Sequence, residues 1–405
     1  MKKVGIIGCG NISQVHTWVL SNMEDVKICA LCDVDITKAG NLYDKYLNIN
    51  NSRSIYSKKH TGNADEIKCN DSNYRNDSNY SNDSNDNNYS NDGNDSNDIS
   101  LNKTDKESIL FTDWQDLLDL DLDVVHICTP HYLHAPMVTE FLKSGKAVFC
   151  EKPCAVSVEQ FDKMKSEAEK HPGMLGFCFQ NRYNETTLLT DKLIADGRIG
   201  EVTGVRAFVT WRRDDDYYEG SLWKGSLETE GGGALINQAV HTLDLMLRYL
   251  GEPQIVKGSI SNHHLSMQAV EVEDTVEAWM MFEDGRRGCF YASNGYAADA
   301  PVIIDIQGER GRISLTGSEL SLYTSGNSPE HFQCDTKKGI GKDYWGCGHK
   351  ACIMDFYRCL DTGERFQNDL FGVENTFNTM MKIYEESRGM ADEITYIRVG
   401  DMVII

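Results

Sequence analysis

An apolar run, Val4 to Ile7, followed at once by Gly8-Cys9-Gly10-Asn11-Ile12-Ser13 and an amphipathic stretch to about Met23, restricts the fold more than any other part of the chain. It reads as strand, tight turn and helix. Glycines at 8 and 10 let the backbone turn sharply and approach a pyrophosphate, and the helix that follows offers N–H groups and the positive end of its dipole. Ser13 stands where a third glycine is usual, and its small side chain still permits close packing of helix on strand. The next strand, Val26 to Leu31, leads to Asp33, which lies 23 residues beyond Gly10, where a ribose-binding carboxylate belongs. Strand, glycine turn, helix, strand and acid in that order predict a doubly wound, dinucleotide-binding α/β domain. A carboxylate accepts hydrogen bonds from both ribose hydroxyls and repels a 2′-phosphate, and Val34, Asp35 and Ile36 bring no cation to offset this. NAD is therefore the expected cofactor rather than NADP. Asp35 reads as the cap of a helix beginning at Ile36.

A length of 405 residues exceeds one ordinary core and predicts two domains. From about residue 57 to 105 the chain is Asn, Asp, Ser and Tyr in degenerate repeats, such as Asn82-Asp83-Ser84-Asn85. Such a tract buries too little apolar surface to offset its conformational entropy, so a disordered insertion is expected there. Order resumes at Ile109-Leu110-Phe111. A buried-type strand, Asp123 to Cys128, then delivers Thr129-Pro130-His131-Tyr132-Leu133-His134 to the carboxyl edge of the sheet, where open α/β sheets bind ligands. His131 and His134 are placed either to touch the cofactor or to cap the helix running to Ser144. A second buried strand, Ala147 to Cys150, ends on Glu151-Lys152-Pro153, and the chemistry is placed at this junction.

Composition narrows the partners. A formal net charge of −22 argues against nucleic acid or an anionic membrane. No apolar run is long enough to span a bilayer, and the run after Met1-Lys2-Lys3 is broken too soon for a signal peptide. Thirteen cysteines, scattered and odd in number, point to a reduced, cytoplasmic protein. Cys347, Cys352 and Cys359 near His349 lack the spacing of a zinc site, so no metal is expected.

The second half changes character. Helical patterns at Ser157 to Glu169 and Thr187 to Asp196 give way to strand-like runs at 202–211, 255–260, 275–282, 287–292, 302–307 and 313–315, with a hairpin signal at Asp284-Gly285. Strands clustered after an alternating half predict an α/β domain, residues 1–152, followed by an α+β domain, residues 153–405. Within the latter, Gly231-Gly232-Gly233 precedes a helix whose apolar stripe starts at Ile236 and which Gly251 ends. Asn237, His241 and Asp244 are spaced to share its other face. On residues alone His241 serves equally as a packing group or as an acid/base group. Arg182, Tyr183, Trp211, Arg212, Tyr217, Tyr218 and Trp223 supply aromatic faces and donors suited to a sugar.

Gly8-Cys9-Gly10-Asn11-Ile12, Cys128-Thr129-Pro130, His134, Gly145-Lys146 and above all Glu151-Lys152-Pro153 resemble the Gfo/Idh/MocA family of NAD(P)-dependent sugar and cyclitol oxidoreductases. The likeness continues through Gln180-Asn181-Arg182-Tyr183, Ile199-Gly200, Glu230-Gly231-Gly232-Gly233, His241 with Asp244, and Gly348-His349. It implies a Rossmann domain and a C-terminal domain on a large open, mostly antiparallel sheet, through which a homodimer or homotetramer forms, with a final helix packing back toward the first domain. It also implies hydride transfer between NAD and a hydroxyl or keto group of a sugar, cyclitol or derivative. Lys152 would polarise the substrate oxygen and His241 act as general acid/base. Gly8, Gly10, Asn11, Ile12, Asp33, Thr129, Pro130, His134, Glu151 and Lys152 would hold the cofactor, and Arg182, Tyr183, Asn237 and Trp223 the substrate. The family pattern often has aspartate where Asn237 stands. Other members cleave glycosides through transient oxidation, or bind dinucleotide as regulators; the presence of both Lys152 and His241 disfavours the regulator.

Overall fold

The computed structural model describes residues 1–48, 106–262, 265, 270–334, 347–392, 397–399 and 402–404. The tract at 57–105 lies outside them. Strands β1 (Lys2–Ile7), β2 (Val26–Cys32), β3 (Leu110–Phe111), β4 (Val124–Ile127), β5 (Ala147–Cys150) and β6 (Leu175–Phe177) form one parallel sheet in the order β3-β2-β1-β4-β5-β6. β4 and β5 are buried at every residue, as strands covered on both faces require. Helices α1 (Ser13–Ser21), α2 (Ile36–Tyr46), α3 (His134–Lys143) and α4 (Val158–Ala168) make the crossovers. Because β1 lies between β2 and β4, the chain reverses its direction of travel across the sheet there, and a crevice opens at the carboxyl ends of these two strands. Lys106, on the β3 side of the tract, places its Nζ 2.6 Å from Asp44 of α2 and over the ring of Tyr43.

This sheet runs past residue 152, because β6 pairs with β5. Three residues are too few to carry a period. Gly176, within them, lies against the rings of Phe356 and Phe366, so packing from the far end of the chain selects the strand.

The second sheet is built from β7 (Val202–Thr210), β8 (Ile255–Ser261), β9 (Thr275–Met281), β10 (Arg287–Ser293), β11 (Ile303–Gly308), β12 (Gly311–Thr316), β13 (Glu319–Thr324) and β14 (Glu330–Gln333). Its order is β14-β13-β12-β11-β7-β10-β9-β8, antiparallel except where β7 meets β10. The Asp284-Gly285 turn joins β9 to β10 as predicted, with Gly285 at φ 88. β13 and β14 are additions to the strands read from the sequence.

After α5 (Glu185–Ala195), helix α6 (Val240–Leu250) covers one face of this sheet against β7. α7 (Gly348–Thr362) and α8 (Leu370–Asp392) follow. The last helix is expected to return to the first domain, and α8, which lies chiefly along β8, also packs on α4 there, Phe377 stacking on Phe161 with ring centroids 4.2 Å apart. α7 docks on α1, because its Phe356 and Tyr357 complete an apolar cluster with Val4 and Phe149. The other face of the sheet carries Arg206, Phe208, Tyr291, Ile303 and Trp279, the last 50% exposed. Among the described residues no helix is long and apolar enough to cross a membrane.

Candidate active site

The glycine turn closes the end of β1. Gly8 has φ 86, and a Cβ there would lie 2.5 Å from the Cys128 carbonyl oxygen at the end of β4, so only glycine lets these two strand ends meet. At Gly10 the same construction meets nothing within 4 Å, which leaves open the space a pyrophosphate needs. Ser13 Oγ donates to the Gly10 carbonyl at 2.7 Å and braces the turn. No side chain caps α1 at Ile12 and no acid stands in its first turn, so the helix start, with Asn11 beside it, is suited to an anion. Asp33 ends β2 with its carboxylate accepting from the backbone N–H of Cys9 at 2.7 Å and of Asp35 at 2.9 Å. These bonds fix it beside the turn. Asp35 caps α2 by accepting from the Thr37 N–H at 3.0 Å, as predicted. The residues fit a dinucleotide.

Thr129 and Pro130 leave β4 across the crevice. His134 has both ring nitrogens against backbone carbonyls. Its Nδ1 lies 2.8 Å from the Pro153 carbonyl and its Nε2 2.9 Å from that of Thr129, so the ring clasps the exits of β4 and β5. The Glu151 carboxylate likewise turns inward, to His16 Nε2 at 2.9 Å. His16 Nδ1 lies 2.8 Å from His126 Nδ1, and His126 Nε2 lies 3.0 Å from the Tyr357 hydroxyl. With both rings neutral one direction satisfies every atom: Tyr357 donates to His126, His126 to His16, and His16 to Glu151. Burial works to raise the Glu151 carboxyl, but the His16 bond and the nearby His349 and Lys152 hold it well below the carboxylate range. His16 and His126 belong to no motif, and their meeting is visible only in three dimensions.

Lys152 Nζ donates to the Asn237 backbone carbonyl at 2.7 Å and faces Asn237 Oδ1 at 3.4 Å. Burial lowers its pKa, against the opposing pull of Glu151 and Glu230. Asn237 lies in a π-helical turn, Ala234–Ala239, that leads into α6. The wider turn separates Asn237 from the regular helix that carries His241 and Asp244, and the three residues go to separate partners. Asn237 Nδ2 donates to Glu230 Oε1 at 2.6 Å. Asp244 accepts from Arg182 and from Thr376 Oγ1 at 2.7 Å. His241 Nε2 lies 3.4 Å from Gln180 Nε2, and its buried Nδ1 has no hydrogen-bond partner among the described residues. Neither Asn237 nor Asp244 bonds to the imidazole. Burial, then the charge of Lys152, pushes His241 down to about 3, so the ring is neutral near pH 7.

Two residues assigned to substrate lie elsewhere. Arg182 spends all five guanidinium N–H groups inside the protein, on both Asp244 oxygens, the Gln367 and Gly372 carbonyls and Asn368 Oδ1. None is left for a ligand. Tyr183 donates to Asp355 of α7 at 2.7 Å. The glycine triplet also has an internal reason: Cβ atoms at Gly231, Gly232 and Gly233 would lie 2.6, 2.1 and 2.0 Å from Val156, Tyr384 Oη and the Glu273 carbonyl. Trp223 packs on His131 with ring centroids 4.7 Å apart, and with Tyr218, Ser221, Leu222 and Lys224 lines a cavity of about 400 Å³. Tyr217 Oη, 3.1 Å from Gln238 Nε2 and 3.4 Å from Asn237 Nδ2, connects that segment to Lys152's partner. Glu230 is fully buried and pushed up to about 7, first by burial. In the sequence it stands outside any periodic segment, merely leading the glycines.

Fold and cradle together define a two-domain, dinucleotide-binding protein. Residues 89–179 match the model of an oxidoreductase family with an NAD-binding Rossmann fold, and residues 188–314 match the GFO/IDH/MocA C-terminal domain. Together the matches take in more than half of the chain, which belongs to the Gfo/Idh/MocA family. The levoglucosan dehydrogenase of Pseudarthrobacter phenanthrenivorans is 25% identical over 224 residues, 50% of this chain and 57% of that protein. The inositol 2-dehydrogenase of Rhizobium meliloti is 32% identical over 139 residues, 33% of this chain and 38% of that protein. The matches thus span less than two thirds of either relative. In fold, the WlbA dehydrogenase of Bordetella pertussis, solved with NADH and UDP-GlcNAcA, is similar with a TM-score of 0.72 at 21% identity, covering 96% of each chain.

The buried histidines set a pH dependence of stability. His126, His131, His134, His241 and His349 are all lowered from 6.5, burial being the first cause at each. The unfolded chain takes up protons at these positions below about pH 6.5, so their contribution to stability is present above that pH and is lost as pH falls. Glu230 and Glu273, both raised from 4.5, act in the opposite sense, two groups against five. Scanning calorimetry should show the Tm falling by more than about 5 °C between pH 7.5 and 5.5. A level or rising Tm would contradict this assignment.

Proposed function

We propose that the chain transfers hydride between NAD and a hydroxyl or keto carbon of a sugar, cyclitol or sugar derivative. The observation that carries this reading is the placement of Lys152 at the carboxyl end of β5, its Nζ 2.7 Å from the carbonyl of Asn237, in the turn that leads to His241. Gly8, Gly10, Asn11 and Ile12 would receive the pyrophosphate at the start of α1, Asp33 the adenosine ribose, and Thr129 and Pro130 would border the nicotinamide side. When bound, NAD supplies the hydride acceptor at C4 of its nicotinamide. Lys152 would hold the substrate oxygen and polarise it with a fixed positive charge. His241, neutral and carrying its proton on Nδ1 because Gln180 Nε2 donates to its Nε2, would give up that long bond and take the hydroxyl proton at Nε2 as the C–H electron pair leaves with hydride, and return it in reduction. Cyclic polyols are favoured by the relatives' names and by the aromatic wall at Trp223 and Tyr217. In this reading residues 1–152, completed by β6, carry the cofactor, and residues 153–405 carry the substrate and subunit contacts.

Lys152→Met should lower kcat at least about 100-fold while NAD affinity changes less than about threefold. Turnover is followed as accumulation of free NADH. Wild-type-like turnover in the variant would remove Lys152 from the mechanism. Because Asp33 repels a 2′-phosphate, NADP should bind at least about tenfold more weakly than NAD by fluorescence titration, and equal affinities would overturn the role given to Asp33.

The exposed sheet face with Phe208, Trp279, Tyr291 and Ile303 is proposed to pair with a second copy. Sedimentation velocity should find a dimer or larger, and Trp279→Lys should shift it toward monomer. A monomeric wild type would refute this pairing.

A further inference from the structure

We infer that Glu230 is a positioning residue for this reaction: it holds the Asn237 side-chain amide so that its oxygen faces Lys152. The inference rests on the reading of Lys152 given above. An amide has one acceptor end and one donor end, a carboxylate only accepts, and an ammonium only donates. Asn237 lies between the two, with Nδ2 on Glu230 Oε1 at 2.6 Å and Oδ1 facing Lys152 Nζ at 3.4 Å. Only one orientation of the amide satisfies both neighbours. Aspartate at this position would set two carboxylates against each other across the same bond, so asparagine at 237 and glutamate at 230 form a matched pair.

Glu230 is itself fixed. Its Oε2 accepts from the Gly225 N–H at 2.6 Å, and Gly225 has φ 85, which favours glycine. Its own N–H donates to the Ser226 carbonyl at 2.9 Å, and its carbonyl lies 2.9 Å from His131 Nδ1. Buried between helix and loop, the carboxyl group has no exposed surface to share. The charged and titratable groups around it are Lys152, Lys224, Glu273, Tyr218 and Tyr384. Lys152 is in turn faced by Glu151 and Cys178, and by His131, His134, His241 and His349. Among these, Glu151 and Glu230 are the carboxylates that raise the lysine, and Glu151 is turned toward His16. Glu230 therefore acts on Lys152 both through the amide and through its charge.

Glu230→Gln keeps the shape and removes the charge. If the glutamine oxygen keeps Gly225, its amino group meets Asn237, whose amide must reverse and point a donor at the ammonium. The test is the pH dependence of Lys152 acetylation by acetic anhydride, read by peptide mass spectrometry on the full chain with NAD bound. In the variant the labelling midpoint should move to lower pH by about half a unit or more, since a negative neighbour is lost. kcat should fall at least about tenfold with NAD affinity retained. Glu230→Asp, which keeps the acceptor-only end, should hold the wild-type midpoint. If the glutamine variant does not fold, Glu230→Met carries the same expectation. An unmoved midpoint in a folded, NAD-binding variant overturns this inference alone. Undiminished turnover in Lys152→Met overturns the reading of the site, whatever the labelling gives.

Discussion

The buried pair of Arg182 and Asp244 holds the two halves of the site in register. Arg182 follows the last strand of the first sheet, Asp244 lies on α6 three residues beyond His241, and the remaining guanidinium bonds reach Gln367, Asn368 and Gly372 at the start of α8. One side chain thereby ties three segments that are far apart in sequence. Removing one partner of such a pair would leave an uncompensated buried charge, at a cost of roughly 3–5 kcal/mol. His241 lies on α6, which this tie holds, and Lys152 follows β5, the neighbour of the strand that Arg182 follows.

The electrostatics of the site follow from what is turned toward Lys152 and what is turned away. Glu151, its neighbour in sequence, is drawn off by His16 into a chain of buried rings. Glu230, 78 residues beyond Lys152 in the chain, takes up a place behind Asn237 instead. The histidines around the lysine are kept neutral by burial, so the ammonium is not crowded by other cations. A chain with a net charge of −22 thus presents a locally supported positive group, Lys152, at the sheet's edge.

Local chemistry was legible in the residues and long-range partnership was not. Gly8, Gly10 and Asp33 announce a cradle because each is needed within a turn or a strand end, and alternation places six of the eight strands of the second sheet. β6 escapes because three residues carry no period and its place depends on Phe356 and Phe366. Arg182 and Tyr183 look like substrate groups until their partners appear, 62 and 172 residues away. The need for three successive glycines is likewise set at long range, by Val156, Tyr384 and Glu273, which fill the space where their Cβ atoms would stand. Asn237 and His241 keep their sequence spacing but lose their common face to a π turn, which no pattern of apolar residues signals.

The ion pair between Lys106 and Asp44 bears on how this chain came to carry a long low-complexity tract. It joins α2 to the segment that leads into β3, an edge strand of the sheet, two strands removed from the crevice between β1 and β4. Added length between these two anchoring residues carries only a slowly growing entropic cost. Gly8, at the end of β1, and Lys152, after β5, lie on other strands, so their places do not depend on how long the tract is.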